Sequence, residues 1–151
     1  MTLLNKLLNY YHISNEDYQK LIAPHTLLDF NDGHEFDNVE EAVKLTRKMM
    51  KENKKIIIYG DYDCDGIMGV SILKKMFDYL SYDVDYYVPS RYLDNYGLNI
   101  AKAQEYVLDG YEFVITVDNG VCANEAIDYL KDNNVTVLVI LIILKIIMSP
   151  Y

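Results

Sequence analysis

Apolar and polar positions follow two distinct rhythms along the 151 residues. Between 38 and 51, Val39, Ala42, Val43, Leu45 and Met49 recur at three- and four-residue spacing, the signature of an amphipathic helix. From there on, short β-branched or apolar runs at 55–59, 83–88, 112–117 and 135–141 alternate with helical patterns at 67–80, 99–108 and 123–132. Apart from 83–88, which carries Asp83 and Asp85, these runs are apolar at nearly every position rather than at every second one, as expected of strands buried on both sides. Strict alternation of strand and helix predicts an α/β fold, a parallel sheet with helices on both faces. Two short helices, 2–11 and 15–22, precede it. Ser14 stands as N-cap of the second with Asp17 three residues on, a variant capping box, and Pro24 ends the helix. A polar loop over 28–37 follows. The expected organisation is a helical lead-in over 1–37, an α/β domain over 38–140 and an apolar tail over 141–151.

The chemistry concentrates directly after the first strand. Residues 60–66 read Gly, Asp, Tyr, Asp, Cys, Asp, Gly, so that Asp61, Asp63 and Asp65 alternate within one tight loop. Carboxylates so close repel one another unless a cation or a proton intervenes. Hard oxygen donors suit Mg²⁺ or Mn²⁺, and paired ions of this kind serve in-line attack of water on a phosphodiester. A solvated acidic turn is the plainer reading of the same residues. An EF-hand is excluded, because the twelfth position counted from Asp61 is Ile72 where a bidentate Glu is required.

A second strand ends in the same manner, at Thr116, Val117, Asp118, Asn119, Gly120. If the two strands are parallel neighbours, Asp118 stands beside Asp63 and Asp65 and is placed to bridge two metals. A turn or N-cap role for Asp118 is the alternative, since Asp-Asn-Gly is strong turn chemistry. Arg91 is the basic residue that suits a phosphate near the metals, through bidentate guanidinium contacts, or else pairs with Asp94 on the surface. Tyr86 and Tyr87 read as strand residues packed against helices.

Composition adjusts this picture. The formal net charge is −9, from 23 acidic and 14 basic residues, the wrong sign for a stand-alone nucleic-acid binder. Weak or absent DNA binding by the chain itself is the expectation. The two cysteines, Cys64 and Cys122, lack metal-type spacing and read as free thiols, with Cys64 an inert packed side chain. No secretory pattern opens the chain, because Asn5 and Lys6 interrupt its leucines, and the apolar tail is shorter than the about 20 residues a membrane span needs. A cytoplasmic protein without a membrane segment is expected.

The segments 60–66, 88–98 and 116–120 together resemble, in order and spacing, the RecJ-type single-stranded-DNA-specific exonucleases of the DHH phosphoesterase superfamily. The resemblance covers roughly residues 35–140; its middle segment, with Arg91, Tyr96 and Gly97, is particular to the RecJ branch. It implies a two-metal Mn²⁺ or Mg²⁺ centre in which Asp63 holds one ion, Asp65 the other, Asp118 bridges and Asp61 is a further ligand or orienter. It also implies hydrolysis of single-stranded DNA from the 5′ end in repair and recombination, with Arg91, Tyr96, Gly97, Asn119 and Gly120 contacting substrate. Small-substrate members of the superfamily, such as oligoribonucleases, nucleotide phosphatases or pyrophosphatases, are the alternative. They place a histidine where this chain has Tyr59. A non-catalytic interaction module is a third reading.

One departure stands out. The Asp-His-His motif that names the superfamily belongs after the strand at 135–140, where the chain instead reads Leu141, Ile142, Ile143, Leu144, Lys145 and onward to Tyr151. His12, His25 and His34 all precede the first motif. A Leu141 codon ending in G followed by ATC for Ile142 would, read one base earlier, encode Asp-His, so residues 141–151 read as out-of-frame translation of a longer exonuclease gene. That hypothesis fails if the downstream nucleotides hold no frame carrying the missing motifs. The expectation for the chain alone is weak single-metal binding and no useful nuclease activity.

Overall fold

Three isoleucines and a tyrosine form β1, Ile56–Tyr59, whose four residues are all buried. The computed structural model describes residues 2–24, 38–90 and 97–141. Its other strands are β2, Asp85–Tyr87, β3, Phe113–Val117, and β4, Thr136–Ile140. All pair in parallel in the order β2-β1-β3-β4, with Tyr59 opposite Tyr87 on one side and Thr116 on the other.

The helices are α1 (Leu3–Tyr10), α2 (Asn15–Ile22), α3 (Val39–Lys51), α4 (Cys64–Tyr79), α5 (Ile100–Leu108) and α6 (Asn124–Asp132). Two apolar layers sandwich the sheet. Ile56, Ile58, Phe113, Ile115 and Val117 meet Met49 of α3 and Val70 and Phe77 of α4 on one face. Ile57, Tyr59 and Val114 meet Ala103 and Tyr106 of α5 and Ala126 and Leu130 of α6 on the other. The alternation within β1 and β3 explains why both strands are apolar throughout. The chain runs outward from β1 to β2, then reverses across β1 to β3 and β4. Right-handed crossovers then demand α4 on one face and α5 and α6 on the opposite one, as the two layers show. The expected α/β class, a parallel sheet with helices on both faces, is the observed one.

Differences from the expected elements are local. The helix expected at 67–80 begins at Cys64, because Asp63 caps it. Cys64 therefore sits exposed in the first turn rather than packed, and both thiols are free. Tyr86 is 60% exposed, since β2 is a short strand at the edge of the sheet; Tyr87 is half-buried and stacks on Tyr59 at 5.8 Å between centroids. The tyrosine contacts continue from Tyr59 to Tyr106 and from Tyr106 to Tyr111. Burial pushes the Tyr106 phenol well above its ordinary range, and Tyr111 is raised by burial and by its hydrogen bond to Asp85.

The chain divides into two compact units, Met1–Val39 and Glu40–Tyr151. Within the first, the Ser14 hydroxyl accepts from Asp17 N at 3.0 Å and donates to the Asp17 carboxylate at 2.7 Å, a capping arrangement of the kind read from the sequence. Neither α1 nor α2 contains a buried residue. Among the described residues no helix is long and apolar enough to cross a membrane.

Candidate functional site

The order β2-β1-β3-β4 reverses direction between β1 and β3, so the carboxyl ends of these strands form the switch point where open α/β sheets bind ligands. Both motif loops leave the sheet there. The ladder between β1 and β3 closes with Tyr59 opposite Thr116, so that the loop opening at Gly60 and the loop opening at Asp118 start from adjacent strands.

The first loop is shaped by close approach. A Cβ on Gly66 would lie 2.5 to 2.7 Å from the backbone N, O and Cα of Asp61, and one on Gly60 would lie 2.4 Å from Val70 Cγ2. Glycine at these two positions lets the strand end lie directly on the first turn of α4. Asp61 is only 4% exposed, and its Oδ1 accepts from Tyr62 N at 2.6 Å. Asp63 accepts from Gly66 N at 3.0 Å as the N-cap of α4. Asp65 is exposed in the first turn, where a negative charge suits the positive end of the helix.

The second loop is tightened by polar contacts. Asp118, half-buried, adopts a left-handed φ of 58° and donates its N–H to Ile140 O at 2.8 Å. Aspartate tolerates that region better than most side chains. Thr116 Oγ1 donates to Asn119 O at 3.0 Å, and a Cβ on Gly120, at φ 98°, would lie 2.6 Å from that Thr116 hydroxyl oxygen. Asn119, 6% exposed, turns inward: Nδ2 donates to Val117 O at 3.0 Å and to Tyr59 O at 3.4 Å. Its Oδ1 is buried with no partner among the described residues. Beside this loop, a cleft of about 290 Å³ opens between Leu98, residues 118–123 and Leu141.

Thus the backbone brings the two loops to one edge of the sheet. The side chains go less far: among the described residues, no group of three or more Asp, Glu, His or Cys is arranged to hold a metal ion. The expected convergence of Asp61, Asp63, Asp65 and Asp118 is not displayed. The physical reason is visible in two of the four, since Asp61 is turned to its neighbour's amide and Asp63 to the helix end. The donor chemistry itself suits a hard cation. Among the described residues no Lys or Arg forms an ion pair with Asp61, and a carboxylate this buried is costly without a counter-charge.

Of the other expected residues, Gly97 has φ 72° and its carbonyl accepts from Tyr59 Oη at 2.9 Å. Arg91 and Tyr96, together with His25 and His34, lie outside the described residues. Sequence reasoning gives Thr116 no role. Its signal is a hydroxyl within an otherwise apolar strand that is buried throughout.

Residues 55–140 match the DHH family, N-terminal domain. The chain belongs to the DHH family. The chain is similar to the single-stranded-DNA-specific exonuclease RecJ of Haemophilus influenzae, 33% identical over 138 residues that cover 91% of this chain and 23% of that protein. RecJ of Bacillus subtilis is 32% identical over 111 residues, 74% of this chain and 14% of the relative. The chain thus spans less than a quarter of these curated relatives. Among solved structures, exonuclease RecJ bound to manganese superposes with a TM-score of 0.63 at 29% identity, over 77% of this chain and 28% of that one. RecJ from Thermus thermophilus in complex with Mn²⁺ gives 0.61 at 26% identity, over 87% and 18%.

Proposed function

We propose that this DHH domain supplies the carboxylate half of the metal centre of a RecJ-type exonuclease acting on single-stranded DNA from its 5′ end. The observation that carries the reading is the placement of both acidic loops at the β1/β3 switch point, in a chain whose relatives include manganese-bound RecJ structures. In this reading Asp63 and Asp65 hold divalent ions, Asp118 bridges and Asp61 completes or orients the set. The ions, Mn²⁺ or Mg²⁺, would lower the pKa of a bound water and neutralise charge developing on the phosphodiester. Arg91, Tyr96, Gly97 and Gly120 would hold the strand.

The chain taken alone is proposed to be catalytically silent. Among its described residues no group of three or more acid, histidine or thiol side chains is arranged to hold a metal ion, and its net charge of −9 opposes a polyanion. The test combines calorimetric Mn²⁺ titration with digestion of a 5′-phosphorylated single strand. Weak uptake that disappears in Asp63→Asn, without release of nucleotides, is the expected result. Absence of any Mn²⁺ uptake would remove the metal role, and turnover that survives in Asp63→Asn and Asp118→Asn would overturn the residue assignment.

A further inference from the structure

Asn119 occupies an unusual place in this domain. It follows Asp118 directly, yet its side chain points into the protein instead of toward solvent, and its amide nitrogen donates to two different strands. One bond goes to the carbonyl of Val117, the last residue of β3 and the one before Asp118; the other goes to the carbonyl of Tyr59, the last residue of β1 and the one before Gly60. The parallel ladder between the strands ends at this level, with Tyr59 opposite Thr116. Beyond it, a side chain takes over the cross-strand connection. Thr116 fixes the backbone of the tie by donating to Asn119 O, while Gly120 permits the loop to fold back over Thr116.

We propose that Asn119 is a positioning residue that fastens the Gly60–Gly66 loop to the Asp118–Gly120 loop and so sets the separation of their carboxylates. The inference rests on the proposed metal role for what is being positioned; the fastening itself rests on the hydrogen bonds alone. It also replaces the substrate contact expected of Asn119, since a side chain 6% exposed with its donors engaged has little to offer a nucleotide. A longer or shorter polar side chain does not reproduce the geometry. Ser cannot span two carbonyls on separate strands, and Ala offers no donor.

Two measurements on the ¹⁵N-labelled full chain test it. In the parent protein, the Asn119 side-chain amide protons are expected to exchange with solvent markedly more slowly than those of the exposed Asn5; equal rates would overturn the proposal without any variant being made. In a titration with diamagnetic Mg²⁺, the shift changes of the amides of 61–66 and of 118–120 are expected to follow one midpoint in the parent. In Asn119→Ala and Asn119→Ser the two loops are expected to respond separately, with the midpoint at 118–120 raised about tenfold or more, the range typical of lost support behind a metal ligand. The amide position of Phe77 in the core should stay unchanged. Variants whose two loops shift together as in the parent overturn the proposal. No shift of either loop in the parent would sink the metal reading instead, and the exchange rates would still decide whether Asn119 ties the strands.

Discussion

Replacing Gly66 by alanine sets two opposed effects against each other. Gly66 lies in the first turn of α4, where alanine has the higher helix propensity by about 1 kcal/mol, so local structure alone predicts stabilisation. The added methyl would, however, meet the N, O and Cα of Asp61 at 2.5, 2.6 and 2.7 Å, all of them backbone atoms of a buried residue. Backbone cannot rotate away as a side-chain tip can, so the loop after β1 must retreat to make room. Overpacking of this sort costs about 1–3 kcal/mol, and the rigidity of the contacting atoms favours the upper part of that range. The net expectation is a loss of about 1–2 kcal/mol once the propensity gain is set against the overpacking. With a urea m-value of about 1–3 kcal/mol/M for a small protein, the midpoint falls by roughly 0.3–2 M. Gly110→Ala serves as the comparison. It has φ 77° with nothing within 4 Å of the added carbon, so it incurs only the left-handed backbone penalty of about 1–2 kcal/mol. Urea unfolding followed by circular dichroism reads both, and the amide shifts of 61–63 report the displacement of the loop in Gly66→Ala alone. A Gly66→Ala midpoint at or above that of the parent would refute the packing argument and show that Asp61 yields freely.

Asp63 carries two roles that substitution separates. Asp63→Asn keeps an oxygen able to accept from Gly66 N, so stability should stay close to the parent while Mn²⁺ uptake is lost; Asp63→Ala should lose about 0.5–2 kcal/mol of the helix cap as well, and equal melting of the two variants would contradict the capping role. Tyr106 and Tyr111 have phenols raised in the folded protein above the ordinary value of 10.0. Their contribution to stability is complete below that value and is lost as pH rises beyond it, because the unfolded chain releases these protons first. Absorbance titration should therefore show both tyrosines ionising only together with alkaline unfolding. Ionisation of Tyr106 near the ordinary phenol value in a folded protein would contradict its burial.

The sheet is legible in the sequence because β1 and β3 are apolar at nearly every position, a pattern that only burial on both faces sustains. The two loops are marked as well, since glycine and aspartate cluster where strand passes to helix. Strand order is open in the sequence, and with it the adjacency of β1 and β3 on which the reading of Asp118 depends. The start of α4 falls three residues earlier than the pattern predicts because Gly66 resembles a helix breaker; its actual function is close contact with Asp61. Asn119 escapes a linear reading for a related reason. Turn chemistry makes asparagine a surface residue by default, and nothing in a linear pattern shows that the carbonyl of Tyr59 waits across the sheet. Tyr86 shows the same limit from the other side: its strand propensity is plain in the sequence, but exposure depends on lying at an edge.

The pairing of Ile56 with Phe113 joins segments far apart in the chain, with β2 and two helices formed in between. Bringing them together requires closing a long loop before any ladder bond rewards it, and topologies of this kind fold slowly. On a ribosome, the candidate site cannot assemble until Asn119 has left the exit tunnel, and until then the carboxylates of the first loop face solvent without their counterpart.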